Sequence, residues 1–355
     1  MMQVGIVNDV RVIAESLRRI VADTPGFSVA WVAHDGDAAV ERYRVQPVDI
    51  VLMDLVMPGM DGAQTTEAMM KIRSCAILVV TATVVGNREL VYAAMGKGAL
   101  DAVNTPDAGS QASVAELRRK LTTVSRLVAS DQNHPAAQPT GPFARQSPSM
   151  SAPRNADERT PALIGIGAST GGPQAIATIL RGLPKDFNAA IVVVQHLDRQ
   201  FVPGLERWLQ RESKLPIRLA ADDETLHRGG VWLADSDHHL IVRGSLNGSI
   251  RVQYTDEPKD SPNRPSVDIF FESMVQLRGV HRCGVLLTGM GSDGAAGLLA
   301  LRNAGAPTFA QDAESCVVYG MPAVALKLGA IQHSTKLADM SLRLMEFAGH
   351  PVAGS

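Results

Sequence analysis

The sequence is short of cysteine, of net charge and of long apolar runs. Its three cysteines, Cys75, Cys283 and Cys316, are scattered through 355 residues. An odd, widely spaced set without a CxxC pair argues against a disulfide framework or a zinc site and fits a reducing compartment. Thirty-six acidic residues face 34 basic ones, for a net charge of −2. No bulk attraction to nucleic acid or anionic lipid follows from that balance. No apolar run approaches the roughly 20 residues of a membrane-spanning helix, so membrane insertion is not expected. The opening MMQVGIVNDV has neither a basic n-region nor a long apolar h-region. A secretory signal is therefore not expected, and the cytoplasm is the expected location.

What is present is enough apolar material, 45% of residues, for ordinary globular cores. The length suggests two or three domains. Ser130 to Pro161 differs from the rest: it is rich in Pro, Ser, Ala, Gln and Asn and nearly free of large apolar residues. Such a stretch buries too little surface to offset its ordering entropy, and reads as a flexible linker. Before it, apolar runs at Val4–Val7, Ser28–Val32, Ile50–Met53, Ile77–Val80 and Leu100–Val103 alternate with helical patterns. Ile13, Leu17, Ile20 and Val21, and later Val114, Leu117, Leu121 and Val124, follow helical spacing. This alternation predicts a five-stranded, parallel, doubly wound sheet.

After the linker the pattern is again α/β. Strands are expected at Ala162–Gly167, Ala190–Gln195, Val231–Ala234, Leu240–Arg243, Gly284–Thr288 and Pro307–Ala310. Helices are expected at Pro173–Arg181, Val202–Glu212 and Ala295–Asn303. Leu246-Asn247-Gly248, between Leu240–Arg243 and Ile250–Tyr254, reads as a hairpin turn. The second half is thus expected to be mostly parallel with one antiparallel hairpin.

In a doubly wound sheet, ligands sit beyond the carboxyl ends of the strands. Asn8 and Asp9 follow the first strand, Asp54 ends the third and Thr81 ends the fourth. Two carboxylates with backbone carbonyls suit Mg2+, although loop acids at strand ends are also common. The stretch VLMDLVMPGMDG resembles the phosphoacceptor loop of response-regulator receiver domains. The resemblance implies phosphorylation of Asp54 by a histidine kinase, Mg2+ at Asp9 and Asp54, and Thr81 as the hydroxyl that senses the phosphoryl group. Two positions depart from it. Asn8 stands where receivers carry a first acid, and Asn104-Thr105-Pro106 stands where they carry Lys-Pro.

The stretch GIGASTGG, Gly165 to Gly172, allows two readings. As a dinucleotide loop it fails at the third glycine, which is Thr170, and IVVVQHL ends in Gln195-His196 rather than in an acid for a ribose. As GxSxG it presents Ser169 on a turn between strand and helix. A serine nucleophile needs a base and an orienting acid. His196 follows the second strand of this half, and Asp293 lies in the loop GMGSDGAAGL after a third. Their plainer readings are a polar strand end and a helix N-cap. The order Ser169, His196, Asp293 is not that of the α/β-hydrolases.

In this order GIGASTGG, VVVQHL, RPSVDIFF, LLTGMGSDGAAGL and SCVVYGMP, behind a receiver and a linker, resemble the CheB-type protein-glutamate methylesterases of chemosensory pathways. The resemblance implies a receiver at 1–129, a linker at 130–161 and a catalytic domain at 162–350. It implies Ser169 as nucleophile, His196 as general base and acid, and Asp293 as the residue fixing the histidine tautomer. Backbone N–H groups near Thr170 and Met290 would hold the oxyanion. The implied substrates are γ-methyl glutamate esters of chemoreceptors, with deamidation of receptor glutamines as a related activity, and the implied kinase is of the CheA type. Ester hydrolysis itself would need no cofactor. VGIVNDV and GALDAVNTP are further similar to the WspF subgroup of Wsp chemosensory systems.

The remaining features read plainly. His238-His239 lack clustered partners for a metal and read as a loop before a strand. Trp31, Trp208 and Trp232 read as packing, and Arg18-Arg19 and Arg118-Arg119-Lys120 as solvated helix faces. A non-catalytic partner of receptor or kinase is the alternative function. A DNA-binding output lacks both basic charge and a helix-turn-helix signal.

Overall fold

The computed structural model describes residues 1–73, 75–81, 84–107, 110–131, 162–197, 199–235, 237–245 and 248–350. The chain divides into two compact units, Met1–Arg145 and Gln146–Ser355.

The first unit alternates strand and helix throughout: β1 (Met2–Val7), α1 (Arg11–Ala22), β2 (Phe27–Ala33), α2 (Gly36–Val45), β3 (Ile50–Met53), α3 (Gly62–Ile72), β4 (Ala76–Thr81), α4 (Val84–Gly96), β5 (Asp101–Asn104) and α5 (Gln111–Asp131). The sheet order is β2-β1-β3-β4-β5, and every pairing is parallel. β3 and β4 are buried along their whole length. Their unbroken IVLM and AILVVT runs are the signature of strands covered on both faces. On α1, Ala14, Leu17, Ile20 and Val21 are buried, while Glu15 pairs with Arg18 and Arg19 in solvent. A capping box closes the start of α3, where Asp61 accepts from Gln64 N and the Gln64 side chain accepts from Asp61 N. Because β1 is followed in space by β3 on one side and β2 on the other, the crevice between β1 and β3 is the switch point of the sheet.

α5 runs to Asp131, so Ser130 and Asp131 are helical rather than linker; 132–161 lie outside the described residues. Lys120 also departs from expectation. It reaches the Asp101 carboxylate at 2.8 Å and the Ala102 carbonyl at 2.7 Å, tying α5 to β5 instead of facing solvent.

The second unit contains β6 (Ala162–Ala168), α6 (Gly172–Gly182), β7 (Ala189–Gln195), α7 (Val202–Glu212), β8 (Ile217–Leu219), β9 (Val231–Leu233), β10 (His239–Gly244), β11 (Ile250–Thr255), α8 (Val267–Val275), β12 (Arg282–Leu286), α9 (Ala295–Asn303), β13 (Thr308–Gln311), α10 (Met321–Lys327), β14 (His333–Thr335) and α11 (Leu337–Phe347). Seven parallel strands lie in the order β14-β13-β12-β6-β7-β9-β8. β10 and β11 pair antiparallel as a separate two-stranded sheet. That is the expected hairpin; Leu246 and Asn247 of its turn lie outside the described residues. Trp232, Phe270, Phe271, Met274 and Leu298 join one buried cluster with β10 and β11 residues Leu240 and Val252.

The chain turns back after β7, β9 and β8 to place β12 on the other flank of β6. The sheet therefore has its switch point at β6, and the loops after β12, β6 and β7 leave from three neighbouring strands at one edge.

Candidate functional site

In the second unit the loops after β6, β7 and β12 carry Ser169, His196 and Asp293. Backbone bonds continue the sheet into these loops: Ser169 N donates to Thr288 O at 3.1 Å and His196 N to Ala168 O at 2.9 Å. Thr288 is a buried hub. Its hydroxyl donates to Thr170 O at 3.0 Å and accepts from Val318 N at 2.8 Å. Gly171 has φ 78° and precedes α6, so the turn needs a residue free of the left-handed penalty. A Cβ at Gly289 would stand 2.8 Å from Ser169 Cβ. Glycine there lets the loop after β12 close on the serine. Ser169 itself is not in the left-handed region, unlike the strained serine of a nucleophile elbow.

His196 Nε2 and Asp293 Oδ2 are 2.7 Å apart. The bond uses Nε2, so Nδ1 is the ring nitrogen left toward other partners. Asp293 accepts three more bonds, from Ser266 Oγ at 2.7 Å, Val267 N at 2.7 Å and Asp268 N at 3.0 Å. These donors form the N-terminus of α8. Burial alone would raise the Asp293 carboxyl, but His196 and the Val267 and Asp268 amides more than reverse that and hold it down at about 2. An ionised, four-fold hydrogen-bonded carboxylate beside imidazole keeps the proton on Nε2 and the lone pair on Nδ1. The N-cap reading of Asp293 thus needs a correction. Its own helix, α9, is capped by Gly294 at φ 87°, and Asp293 instead accepts the first amides of α8, whose N-cap is Ser266.

Neither Thr170 N nor Met290 N has an acceptor among the described residues. Both lie next to residues that touch Ser169 or its loop. Free N–H groups beside a candidate nucleophile are what an oxyanion would accept from.

Sequence reasoning missed four participants. Gln195 Nε2 donates to Ser169 O at 2.8 Å and to His196 O at 3.0 Å. Ser266 and Asp268 belong to the RPSVDIFF stretch, whose serine followed by an apolar helix is an N-cap signal. Asp268 is pushed up to about 6, by burial first and by the Asp293 charge besides. His239 is fully buried in β10 and not in a loop. Its Nδ1 accepts from Ser266 N at 3.1 Å, so it braces the same helix end. No cluster of three or more His, Cys, Asp or Glu fit to hold a metal occurs among the described residues.

In the first unit, Asp54 lies at the β1–β3 crevice and is nearly buried. Oδ1 accepts from Leu55 N at 2.7 Å, and Oδ2 accepts from Asn8 Nδ2 at 2.8 Å. Burial raises the Asp54 carboxyl, and the charge of nearby Asp9 adds to the rise. Asn8 thus donates to the acceptor where a second acid would repel it. The Thr81 and Thr105 hydroxyls are buried and without partners among the described residues, and Thr105 N donates to Thr81 O at 2.9 Å. Buried hydroxyls are seldom left unpaired, and two of them at the carboxyl edge suit an oxygen-rich group. Two carboxylates with carbonyl and water ligands also fit Mg2+.

Comparison with known proteins assigns each unit to a family. Residues 164–344 match the CheB methylesterase family and residues 4–111 the response regulator receiver domain. A Burkholderia thailandensis protein-glutamate methylesterase/protein-glutamine glutaminase is 46% identical, over 97% of this chain and 98% of that protein. A Cupriavidus pinatubonensis protein of the same description is 42% identical, over 97% of each. The CheB methylesterase catalytic domain of Thermotoga maritima is 33% identical, with a TM-score of 0.51 over 52% of this chain and 98% of that one. The chain belongs to the CheB methylesterase family and joins that hydrolase to a receiver domain.

Proposed function

We propose that the chain removes γ-methyl esters from glutamates of chemoreceptors by a Ser169-His196-Asp293 mechanism, under control of phosphorylation at Asp54. The observation that carries the reading is the 2.7 Å contact between His196 and a carboxylate held ionised by α8, next to the Ser169 turn. His196 Nδ1 takes the Ser169 proton as Oγ attacks the ester carbonyl. The Thr170 and Met290 N–H groups receive the oxyanion. Collapse expels methoxide, which leaves as methanol with the proton from His196. Water then attacks the acyl-enzyme, His196 again taking and returning a proton, and glutamate and free Ser169 result. The same steps on a receptor glutamine release ammonia.

In the receiver, Asp54 is the acceptor, Thr81 the sensing hydroxyl, and Asp9 with Asp54 the carboxylates that would hold Mg2+. The ion supplies charge neutralisation for an incoming phosphoryl group. A CheA-type histidine kinase is the proposed donor, in the cytoplasm, where receptor signalling helices lie. VGIVNDV and GALDAVNTP support a Wsp-type system, feeding a diguanylate cyclase rather than a motor.

Methanol release from methylated receptor membranes tests the reading, with motor-linked and Wsp-type receptors compared. Ser169→Ala should abolish release, and His196→Gln and Asp293→Asn should lower it by roughly 10³-fold or more. Release that survives Ser169→Ala would refute the serine mechanism. Activity confined to motor-linked receptors would refute the pathway.

A further inference from the structure

Gln195 ends β7, in register with Ala168, the residue before Ser169. Val192 and Val194 face the core shared with Trp232 and Phe270. Side chains alternate along a strand, so Gln195 faces the other side, against the start of α6. There its amide meets both loops of the candidate active site. Nε2 donates to Ser169 O at 2.8 Å and to His196 O at 3.0 Å. A carboxamide nitrogen has two hydrogens, and here one goes to each residue.

Two further observations set this side chain apart from an ordinary polar strand end. Its Oε1 is buried and has no partner among the described residues. A buried acceptor left unpaired is unfavourable, so the orientation is not one that maximises its own hydrogen bonding. Space for it also depends on a specific neighbour: a Cβ at Gly172 would stand 2.0 Å from Oε1. The backbone bond from His196 N to Ala168 O at 2.9 Å runs alongside. The two loops are thus joined twice, once by main chain and once by the Gln195 amide.

We propose that Gln195 is a positioning residue that fixes the separation of Ser169 and His196 by binding both carbonyls to one planar group. The inference rests on Ser169 and His196 being nucleophile and base. The amide touches no reacting atom and acts only through the two backbones. Displacing a nucleophile from its base by about 1 Å costs on the order of 10²-fold in rate, so a shared tether of this kind bears on turnover more than on substrate affinity.

The test uses the full-length chain and two variants. Gln195→Met keeps the side-chain length and removes both donors. Gly172→Ala leaves residue 195 unchanged and pushes its amide out of place, and it serves if Gln195→Met does not fold. Two readouts are taken: kcat and KM for methanol release from receptor membranes, and the rate at which a fluorophosphonate probe labels Ser169, with Ser169→Ala as blank. The expected result is a fall in kcat of about 10- to 100-fold with KM changed less than about two-fold, and a parallel fall in labelling. A role confined to stability would lower the melting temperature and leave kcat per folded molecule unchanged. If the wild type is active and both variants match it in kcat and labelling, the positioning role is wrong while the serine mechanism stands. If the wild type neither releases methanol nor labels at Ser169, the serine mechanism fails and this inference fails with it.

Discussion

At the scale of single residues, the carboxylate pair Asp293 and Asp268 carries the clearest electrostatic consequence. The two sit on the same helix end, yet their environments drive them apart. Asp293 gains the imidazole and the α8 amides, whereas Asp268 is half-buried beside the Asp293 charge and accepts from Gly297 N at 2.7 Å. Asp268 is raised from 3.8 to about 6 in the folded chain. The unfolded chain therefore loses this proton first, and the stability contributed by Asp268 falls as pH rises from about 4 to about 6 and then stays level. Asn at 268 retains an acceptor for Gly297 N and has no charge to bury. Asp268→Asn should therefore match the wild type near pH 4 and melt progressively higher than it up to about pH 6, with a constant difference above. Melting curves across that range check this. A difference that does not depend on pH would show that Asp268 is not perturbed.

At the scale of elements, α8 organises the site because both of its ends are held by the β12 segment. Asp293, after β12, receives its N-terminal amides. Arg282, at the start of β12, donates to Val275 O at 3.1 Å, Leu277 O at 2.5 Å and Val280 O at 3.3 Å around its C-terminus. Anion at the N-terminus and cation at the C-terminus both favour the helix dipole. Arg282→Met should lower stability by about 2 kcal/mol through loss of charged hydrogen bonds, measured by urea unfolding of the full chain. An unchanged midpoint would mean that the carbonyls find other donors. α8 also marks the limit of what the sequence reveals. The central strands were legible because their apolar runs are unbroken, and Ser169, His196 and Asp293 because each follows such a run. RPSVDIFF stands out as a motif, but its partner lies 25 residues on, in a loop, and no local period encodes that bond. β8 and β14 are three-residue edge strands, too short to show alternation. Gln195 reads as the end of a strand because nothing in VVVQHL announces that its amide serves two neighbouring turns.

At the scale of the whole molecule, the chain couples two sheets that each place their chemistry at the carboxyl ends of strands beside a switch point. In the receiver, Asn8 and Thr105 set the character of the pocket beside Asp54. Asn8 presents an amide that binds Asp54, and Thr105 presents a buried hydroxyl without a partner among the described residues. Both side chains are uncharged, so Asp9 and Asp54 are joined at this edge by neutral donors and hydroxyls. In the proposed function this pocket still switches the esterase. The most direct test is methanol release from methylated receptor membranes by wild type, Ser169→Ala and Asp54→Ala, each with and without a small phosphodonor and Mg2+. The account predicts release that requires Ser169 and rises with phosphodonor in the wild type but not in Asp54→Ala. Ser169-dependent release that ignores the phosphodonor, or rises equally without Asp54, would contradict it.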